Sequence, residues 1–131
     1  TAFEDRTVPD GSVSWVGLFL GPHELWFYPE GQQRGVLGDP DKAFSEIARV
    51  LASGGHFIVI DHDTLPGSPA NTGGTTHRLA RAIVVELAAA AGLVLVDESD
   101  LLSNPDDDYT KGVFDPTVRR KTDRYLLKFA K

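Results

Sequence analysis

Short apolar runs and helical patterns alternate along this chain. The run VSWVGLFL at 13–20 lies between an Asp-Gly pair and a Gly-Pro pair, and such a run predicts a β-strand buried on both faces, as in a parallel sheet. A second buried strand is predicted for HFIVID at 56–61, and a third for LVLVDESDLL at 93–102, which ends in polar residues. The chain closes with RYLLKFAK at 124–131, which predicts a short last strand.

The first helical pattern runs from Pro40 to about Ala52. Asp39 is suited to cap it, because a carboxylate accepts hydrogen bonds from the first free amides and proline fits the first helical position. We expect the Ser-Gly-Gly sequence at 53–55 to end it, since glycine adopts the left-handed conformation of a helix cap. Its apolar face consists of Ala43, Phe44, Ile47, Val50 and Leu51.

The second helical pattern, HRLARAIVVELAAAA, runs from His77 to Ala91 and is closed by Gly92. The segments before it and before the last strand are rich in Gly, Pro and Asp, and predict loops. The resulting order of strand, helix, strand, helix, strand, loop and strand predicts an α/β fold with right-handed crossovers. No repeat or linker divides the sequence, so we expect one domain over residues 1–131.

The charge and composition exclude several classes of function. A net charge of −6 and a pI near 5.0 argue against nucleic acid or an anionic membrane as a partner. No apolar run approaches the ~20 residues that span a bilayer. The chain has no cysteine, which excludes disulfides, thiolate nucleophiles and cysteine-bound zinc. The cytoplasm is the default compartment.

Polar residues follow the first two predicted strands. His23 and Glu24 come after the first strand, and Asp61, His62 and Asp63 come at the end of the second. Open α/β sheets bind ligands at the carboxyl ends of their strands, so these side chains are expected to converge on a ligand edge. A histidine beside carboxylates is suited to general base catalysis. The alternative is that these groups only cap the loops through backbone hydrogen bonds.

Several strings resemble the class I S-adenosylmethionine-dependent methyltransferases. DGSVSWVGLFL is similar to the fourth strand of that family, PDKAFSEIARVLASGGHFIVID to the next helix and fifth strand, AAAAGLVLVDES to the sixth strand, and DRYLLKFAK to the seventh. The strings LLSNPDDD, FDP and KTDRYLLKF resemble a bacterial group of predicted methyltransferases. The resemblance implies a partial Rossmann-like sheet with strands four to seven, the last one antiparallel.

The resemblance does not include the family's cofactor motif. In the family, an acidic residue and a glycine-rich turn after strand one cradle the cofactor, and an acid after strand two binds its ribose. This chain has no counterpart, so it is expected to begin just after strand three. It also has Ser14 and Ser53 where the family commonly has Asp and Pro, and GPHE where the narrower group has Asn before its His. S-adenosylmethionine is implied as cofactor by resemblance only, with its binding residues unknown.

We assign candidate roles at the predicted edge. His23, Asp61 and His62 are the candidate catalytic residues. The resemblance implies that the sequence His-Arg at 77–78 also faces this edge. The candidate substrate-binding residues are Glu24, Trp26, His77, Arg78 and Asn104.

Plainer alternatives exist for the His-Arg pair and for the basic loop. His77 would be satisfied by loop carbonyls, and Arg78 would pair with an acid such as Asp107 or Asp108. The basic residues of the last loop would form ion pairs with the acidic run at 106–108, or would simply be solvated. These basic residues are Arg119, Arg120, Lys121 and Arg124.

A metal site is a further alternative. His62 and Asp61 or Asp63, together with His23 or His77, are residue types that bind transition metals. No HExxH-type spacing supports such a site, and we therefore expect none.

The aromatic loop and the first strand predict a partner surface. Trp26, Phe27 and Tyr28 would form an apolar patch if exposed, or a lid packed on its own domain. Without strands one to three, the first predicted strand would be an unpaired apolar edge that exposes Trp15 and Phe19. We therefore expect a homodimer formed through this strand or the aromatic loop.

Two functions follow from this sequence. The chain is either the substrate-side half of a methyltransferase, whose cofactor-binding half is supplied elsewhere, or a non-catalytic dimeric binding module derived from one. A small-molecule ligand fits both functions.

Overall fold

A four-stranded mixed sheet with helices forms the architecture. The computed structural model describes residues 2–3, 6–33 and 35–131. In chain order the elements are β1 (Val13–Phe19), a 3₁₀ helix (Pro22–Trp26), α1 (Pro40–Val50), β2 (Leu51–His62), α2 (Thr72–Thr75), α3 (Arg81–Ala90), β3 (Val94–Ser99) and β4 (Arg124–Ala130).

The strands lie in the order β1-β2-β4-β3. β1 is parallel to β2, with Phe19 opposite Ile60 at the carboxyl end. β4 inserts between β2 and β3 and runs antiparallel to both. The predicted α/β fold class and the antiparallel last strand are thereby confirmed.

Helix α1 begins as the sequence predicts but ends earlier. The side chain of Asp39 accepts a hydrogen bond of 3.0 Å from the backbone N–H of Lys42, which confirms the N-cap. The helix ends at Val50, because Leu51 already has an extended backbone and its buried side chain packs in the core. The prediction that the Ser-Gly-Gly turn at 53–55 ends the helix is therefore wrong. This turn lies within β2, where the register against β1 shifts.

The second helix begins later than the sequence predicts. α3 starts at Arg81, and His77 lies before it with a φ of 57°, which is incompatible with a right-handed helix. The backbone N–H of Leu79 donates to the carbonyl of His62 at 2.9 Å, which ties this segment to the end of β2. His77 and Arg78 therefore belong to a connecting loop rather than to the helix.

One face of the sheet carries the core. Side chains alternate along the two central strands: Phe57 and Val59 of β2, with Leu127 and Phe129 of β4, are buried under the helices. The helices contribute Phe44, Ile47, Val84 and Ala88 to the same cluster. The opposite face, which includes Ile58, Ile60 and Leu126, stays partly exposed in the described part of the chain.

The expectation that β1 is buried on both faces is wrong. β1 is one of the two edge strands, and the described helices cover only one face of the sheet. Trp15 and Phe19 are 58% and 60% exposed. Exposure of these two aromatic side chains is what the sequence predicts for an unpaired first strand.

None of the helices in the described ranges has the length and apolarity that crossing a membrane would require.

Candidate functional site

The candidate site lies where the carboxyl ends of β1 and β2 meet. The 3₁₀ helix that follows β1 carries His23 and Glu24, and β2 ends in Asp61 and His62. The backbone N–H of Leu20 donates to the carbonyl of Ile60 at 2.7 Å, so the two strand ends stay joined up to this edge. Of the five side chains that the sequence predicts to converge here, four lie together: His23, Glu24, Asp61 and His62. Asp63 instead accepts hydrogen bonds from the backbone N–H groups of Thr64 and Arg81.

Asp61 is the buried centre of this edge. Its Oδ2 accepts the backbone N–H of His23 at 2.7 Å, and its Oδ1 accepts the backbone N–H of His62 at 2.8 Å. The same Oδ1 lies 2.6 Å from Nδ1 of the His23 ring. With 0% of its surface exposed, Asp61 ties the 3₁₀ helix to the end of β2.

The ring of His23 lies between two carboxylates. Its Nδ1 faces Asp61, and its Nε2 lies 3.2 Å from Oε1 of Glu24. Burial of the ring disfavours its charged form, but the hydrogen bond to Asp61 and the charges of Asp61 and Glu24 outweigh burial and raise the pKa of His23 above its ordinary value. His23 is therefore more easily charged than an exposed histidine.

A second histidine, His77, joins His23, Glu24 and Asp61 from the loop that follows α2. Its ring meets the His23 ring edge-on, with 5.4 Å between the centroids, and lies between the rings of Phe27 and Phe114. Its Nδ1 is 4.0 Å from Oε1 of Glu24 and is buried without a hydrogen-bond partner. Burial, followed by the nearby charge of His23, lowers the pKa of His77. The sequence left open that His77 is satisfied by loop carbonyls, but no carbonyl of the described residues bonds to its Nδ1.

His62 lies beside the His23 ring, with 5.7 Å between the ring centroids, and also lines an open cavity. Its Nδ1 lies 2.6 Å from Oγ1 of Thr122. Burial and the neighbouring charges, first that of His23, lower the pKa of His62 to about 4. His62 is therefore uncharged at neutral pH.

The cavity beside His62 is basic. It has a volume of about 230 Å³. Its lining consists of Leu20, His62, Val113, Phe114, Arg119, Arg120 and Arg124.

The three arginines of this cavity do not pair with the acidic run at 106–108. In that run, Asp107 bonds to Arg78 and Asp108 accepts hydrogen bonds from Thr110. The ion-pair alternative for the basic loop is therefore wrong within the described ranges. The guanidinium of Arg124 instead donates from Nε to the carbonyl of Thr122.

Arg78 lies in the interior of the protein. It is fully buried and makes a bidentate ion pair with Asp107, at 2.8 and 3.0 Å. It also donates to the carbonyls of Asp63 and Lys111. Pairing with Asp107 is the alternative that the sequence leaves open, and in this arrangement Arg78 fixes the loop between β3 and β4.

Asn104 and Trp26 lie outside the group formed by His23, Glu24, Asp61 and His77. The side-chain amide of Asn104 donates to the carbonyl of Lys121, and its backbone N–H donates to Asp123. Trp26 packs partly buried against the core at the end of the 3₁₀ helix. Both residues hold segments that border the site.

Gly73 and Gly74, which are not among the candidate residues predicted from the sequence, position His23. A Cβ on Gly73 would lie 2.5 Å from the carbonyl oxygen of His23, and one on Gly74 would lie 2.5 Å from that of Trp26. Helix α2 packs directly on the 3₁₀ helix because these residues have no side chain. The signal in the sequence is the Gly-Gly pair itself, which reads only as loop composition.

Comparison with known proteins gives a likeness of fold. Neither a protein-family model nor a curated protein matches this chain. Among solved structures, the complex between the Haloferax volcanii Trm112 methyltransferase activator and a methyltransferase aligns with 99% of this chain, at 21% identity and a TM-score of 0.60. A methyltransferase from Aquifex aeolicus that depends on S-adenosylmethionine aligns with 98%, at 14% identity and a TM-score of 0.58. The fold is methyltransferase-like.

The same fold also occurs in an enzyme with another named reaction. The 4+2 cyclase SpnF aligns with 100% of this chain, at 19% identity and a TM-score of 0.62. The chain spans 58% of the Haloferax chain, 55% of SpnF and 51% of the Aquifex protein. It therefore corresponds to little more than half of each neighbour.

The residues described here do not fit S-adenosylmethionine by themselves. At the strand ends they offer histidines, carboxylates and arginines, and the glycines nearby are used in packing. The space beside Gly21 is filled by the side chain of Leu18, and Gly73 and Gly74 lie against backbone carbonyls. These three glycines therefore leave no open backbone for a cofactor at this edge.

Proposed function

We propose that this chain forms the acceptor-binding half of an S-adenosylmethionine-dependent methyltransferase. The observation that carries the proposal is the basic cavity beside His62 at the carboxyl edge of a methyltransferase-like sheet. Ligands of open α/β sheets bind at this edge. Fold alone would not support an activity, since the same fold occurs in a cyclase.

The cavity suits a small anionic acceptor. Arg119, Arg120 and Arg124 surround it and have no acidic partner among the described residues. Guanidinium groups bind carboxylates and phosphates through paired, charge-assisted hydrogen bonds. The acceptor that fits best therefore carries a carboxylate or a phosphate.

His62 is the proposed residue that touches the acceptor. The bond between its Nδ1 and Thr122 fixes the ring, so that Nε2 is the nitrogen available to an acceptor group. Methyl transfer depends chiefly on alignment of the reacting groups, with a proton acceptor where the nucleophile carries a proton. Asp61 and His23 act as positioning residues, because Asp61 accepts the backbone N–H of His62 and bonds to the ring of His23.

The remaining candidate residues support this site from its borders. Arg78 and Asn104 hold the loop between β3 and β4, which carries Arg119 and Arg120. Glu24 and His77 lie beside His23, and Trp26, at the end of the 3₁₀ helix, packs against the core.

The cofactor would be held by elements that pair with β1. β1 is an edge strand with exposed aromatic side chains, and the neighbours are almost twice as long as this chain. An additional set of strands beside β1 would extend the sheet and bring its own ligand-binding loops to the same edge. S-adenosylmethionine is the expected cofactor because the neighbours include methyltransferases that depend on it.

Chemical-shift mapping by NMR tests the acceptor site. Inorganic phosphate and acetate are titrated into the chain as minimal anionic probes. We expect saturable shifts at His62 and at the three cavity arginines, and their loss in the double variant Arg119→Ala, Arg120→Ala. Arg49→Ala removes a guanidinium from α1 and is the matched control. Equal shifts in the double variant, or none in the wild type, would overturn the proposal.

A second candidate is a dimeric interaction module without catalysis. The uncovered face of the sheet and the exposed edge of β1 favour it, because exposed apolar strand edges associate with other chains. The Haloferax neighbour is itself in a complex with an activator protein. For this chain, a second copy is the partner we propose.

A further inference from the structure

We propose that His23, Glu24 and His77 bind one zinc-type divalent metal ion. One ligand atom from each residue lies within 4.8 Å of the other two. Zinc bonds of about 2.0–2.2 Å place tetrahedral ligand atoms about 3.4 Å apart, so small side-chain rotations would close the group on an ion. Two imidazoles and one carboxylate suit zinc, whereas calcium and magnesium prefer oxygen ligands alone.

Asp61 supports His23 in the way that carboxylates support metal-binding histidines. It lies 2.6 Å from Nδ1 of His23 and also accepts the backbone N–H of that residue. A histidine that donates from Nδ1 to a carboxylate presents the lone pair of Nε2 to the metal. In His23 that nitrogen points at the Glu24 carboxylate, 3.2 Å away. Without a metal this nitrogen carries a proton and donates to Glu24, so a bound ion would take the place of that proton.

His77 supplies the independent evidence for a ligand. Its Nδ1 is buried and has no hydrogen-bond partner within the described chain, although native proteins pair almost all such atoms. The residue also has a φ of 57°, and non-glycine residues in this left-handed region cluster at functional sites. A metal ion would satisfy the nitrogen that is otherwise without a partner.

The surroundings suit a metal site that is open to solvent on one side. Phe27 and Phe114 pack against the His77 ring, each with 5.2 Å between ring centroids, and shield it. The side chain of Glu24 is 30% exposed, which leaves a path for an ion. Three protein ligands leave the fourth tetrahedral position to water or to a bound molecule.

The ligands come from two loops rather than from one helix. His23 and Glu24 are adjacent in the 3₁₀ helix, and His77 lies more than fifty residues later. The packing of Gly73 and Gly74 on the 3₁₀ helix brings the two segments together. This is why the absence of an HExxH spacing is not informative for this chain.

Zinc titration of the untagged, chelator-treated chain tests the site. We expect one Zn²⁺ per chain by isothermal titration calorimetry, and a Kd raised about 10- to 100-fold or more in Glu24→Gln and His77→Asn. Asparagine tolerates the left-handed backbone at position 77. His56→Ala is the matched control, because His56 stacks on Trp15 away from the cluster.

Cobalt substitution gives a second readout. We expect Co²⁺ to show visible absorption bands of a low-coordinate site in the wild type and in His56→Ala, and to lose them in Glu24→Gln. Circular dichroism confirms that each variant is folded. The proposal is overturned if folded wild-type chain binds no Zn²⁺, or if His56→Ala weakens binding as much as Glu24→Gln does. The anionic probes address the cavity separately, so either proposal can fail alone.

Discussion

Oδ1 of Asp61 lies 2.6 Å from Nδ1 of His23, in the interior where the first two strands end. Asp61 also accepts two backbone N–H groups, one on each side of this junction. One carboxylate thus sets both the orientation of the His23 ring and the position of the 3₁₀ helix relative to β2. The cluster and the cavity both depend on this residue.

Asp61→Ala is expected to destabilise the fold strongly. The change leaves the backbone N–H groups of His23 and His62 and the His23 ring without their acceptor. Loss of one partner from a buried charged pair costs about 3–5 kcal/mol. Urea unfolding followed by circular dichroism measures the change in free energy. Asp97→Ala, in the exposed part of β3, is the control and should stay within about 0.5 kcal/mol of wild type. Equal stability of Asp61→Ala and wild type would contradict this role.

The pH dependence of stability should report the pair of Arg78 and Asp107. Burial disfavours the charged carboxylate, but the hydrogen bonds from Arg78 and from two backbone amides outweigh it and lower the pKa of Asp107. A group whose pKa is lower in the folded state stabilises the fold above its unfolded pKa. This contribution is lost as the pH falls through the folded pKa. We therefore expect the free energy of unfolding to decrease as the pH falls below about 4.

Asp107→Asn tests this assignment. At neutral pH it leaves the buried Arg78 without its counter-charge, and we expect a loss of about 3–5 kcal/mol. The difference from wild type should narrow as the pH falls, because the wild-type carboxyl also becomes neutral. Urea unfolding at several pH values measures both effects. Asp106→Asn makes the same charge change at an exposed neighbour and should leave stability at pH 7 within about 0.5 kcal/mol. A difference for Asp107→Asn that stays constant with pH would count against the account.

Gly73→Ala should disturb the site through packing alone. Its Cβ would lie 2.5 Å from the carbonyl oxygen of His23, so the two helices must move apart. We expect a loss of about 1–3 kcal/mol, together with shifted NMR signals of His23 and His77. Gly112→Ala is the control, since its nearest atoms would be 3.9 Å away. Unchanged histidine signals in Gly73→Ala would show that this contact does not position the cluster.

The fold could be predicted further from the sequence than the site could. The N-cap at Asp39, the α/β fold class and the antiparallel last strand follow from local patterns and from the resemblance. The end of α1 was predicted wrongly, because burial of Leu51 overrides the glycine signal that follows.

Less of the candidate site than of the fold could be predicted from the sequence. Convergence of His23 and Asp61 follows from the geometry of parallel strands. The position of His77 beside them depends on contacts between two loops, and the cavity arginines depend on a long loop without periodic pattern. Neither arrangement has a local signal, apart from the two glycines at 73–74.

The oligomeric state tests the role of the exposed first strand. We expect sedimentation equilibrium to give twice the chain mass of 14.2 kDa at micromolar concentration. The double variant Trp15→Lys, Phe19→Lys should shift this mass toward the monomer, because lysine on an edge strand opposes pairing. Leu101→Lys, in a loop at 78% exposure, is the control and should remain dimeric. A monodisperse wild-type monomer would contradict the dimer.

The central claim is that this chain binds the acceptor, whereas a separate half binds the cofactor. Calorimetry tests this claim most directly. S-adenosylmethionine is titrated into the 131-residue chain in its folded state. We expect no saturable binding at millimolar cofactor, because Gly21, Gly73 and Gly74 near the strand ends are occupied in packing and the same edge presents a basic cavity for the acceptor. A one-to-one complex with a micromolar Kd would contradict it.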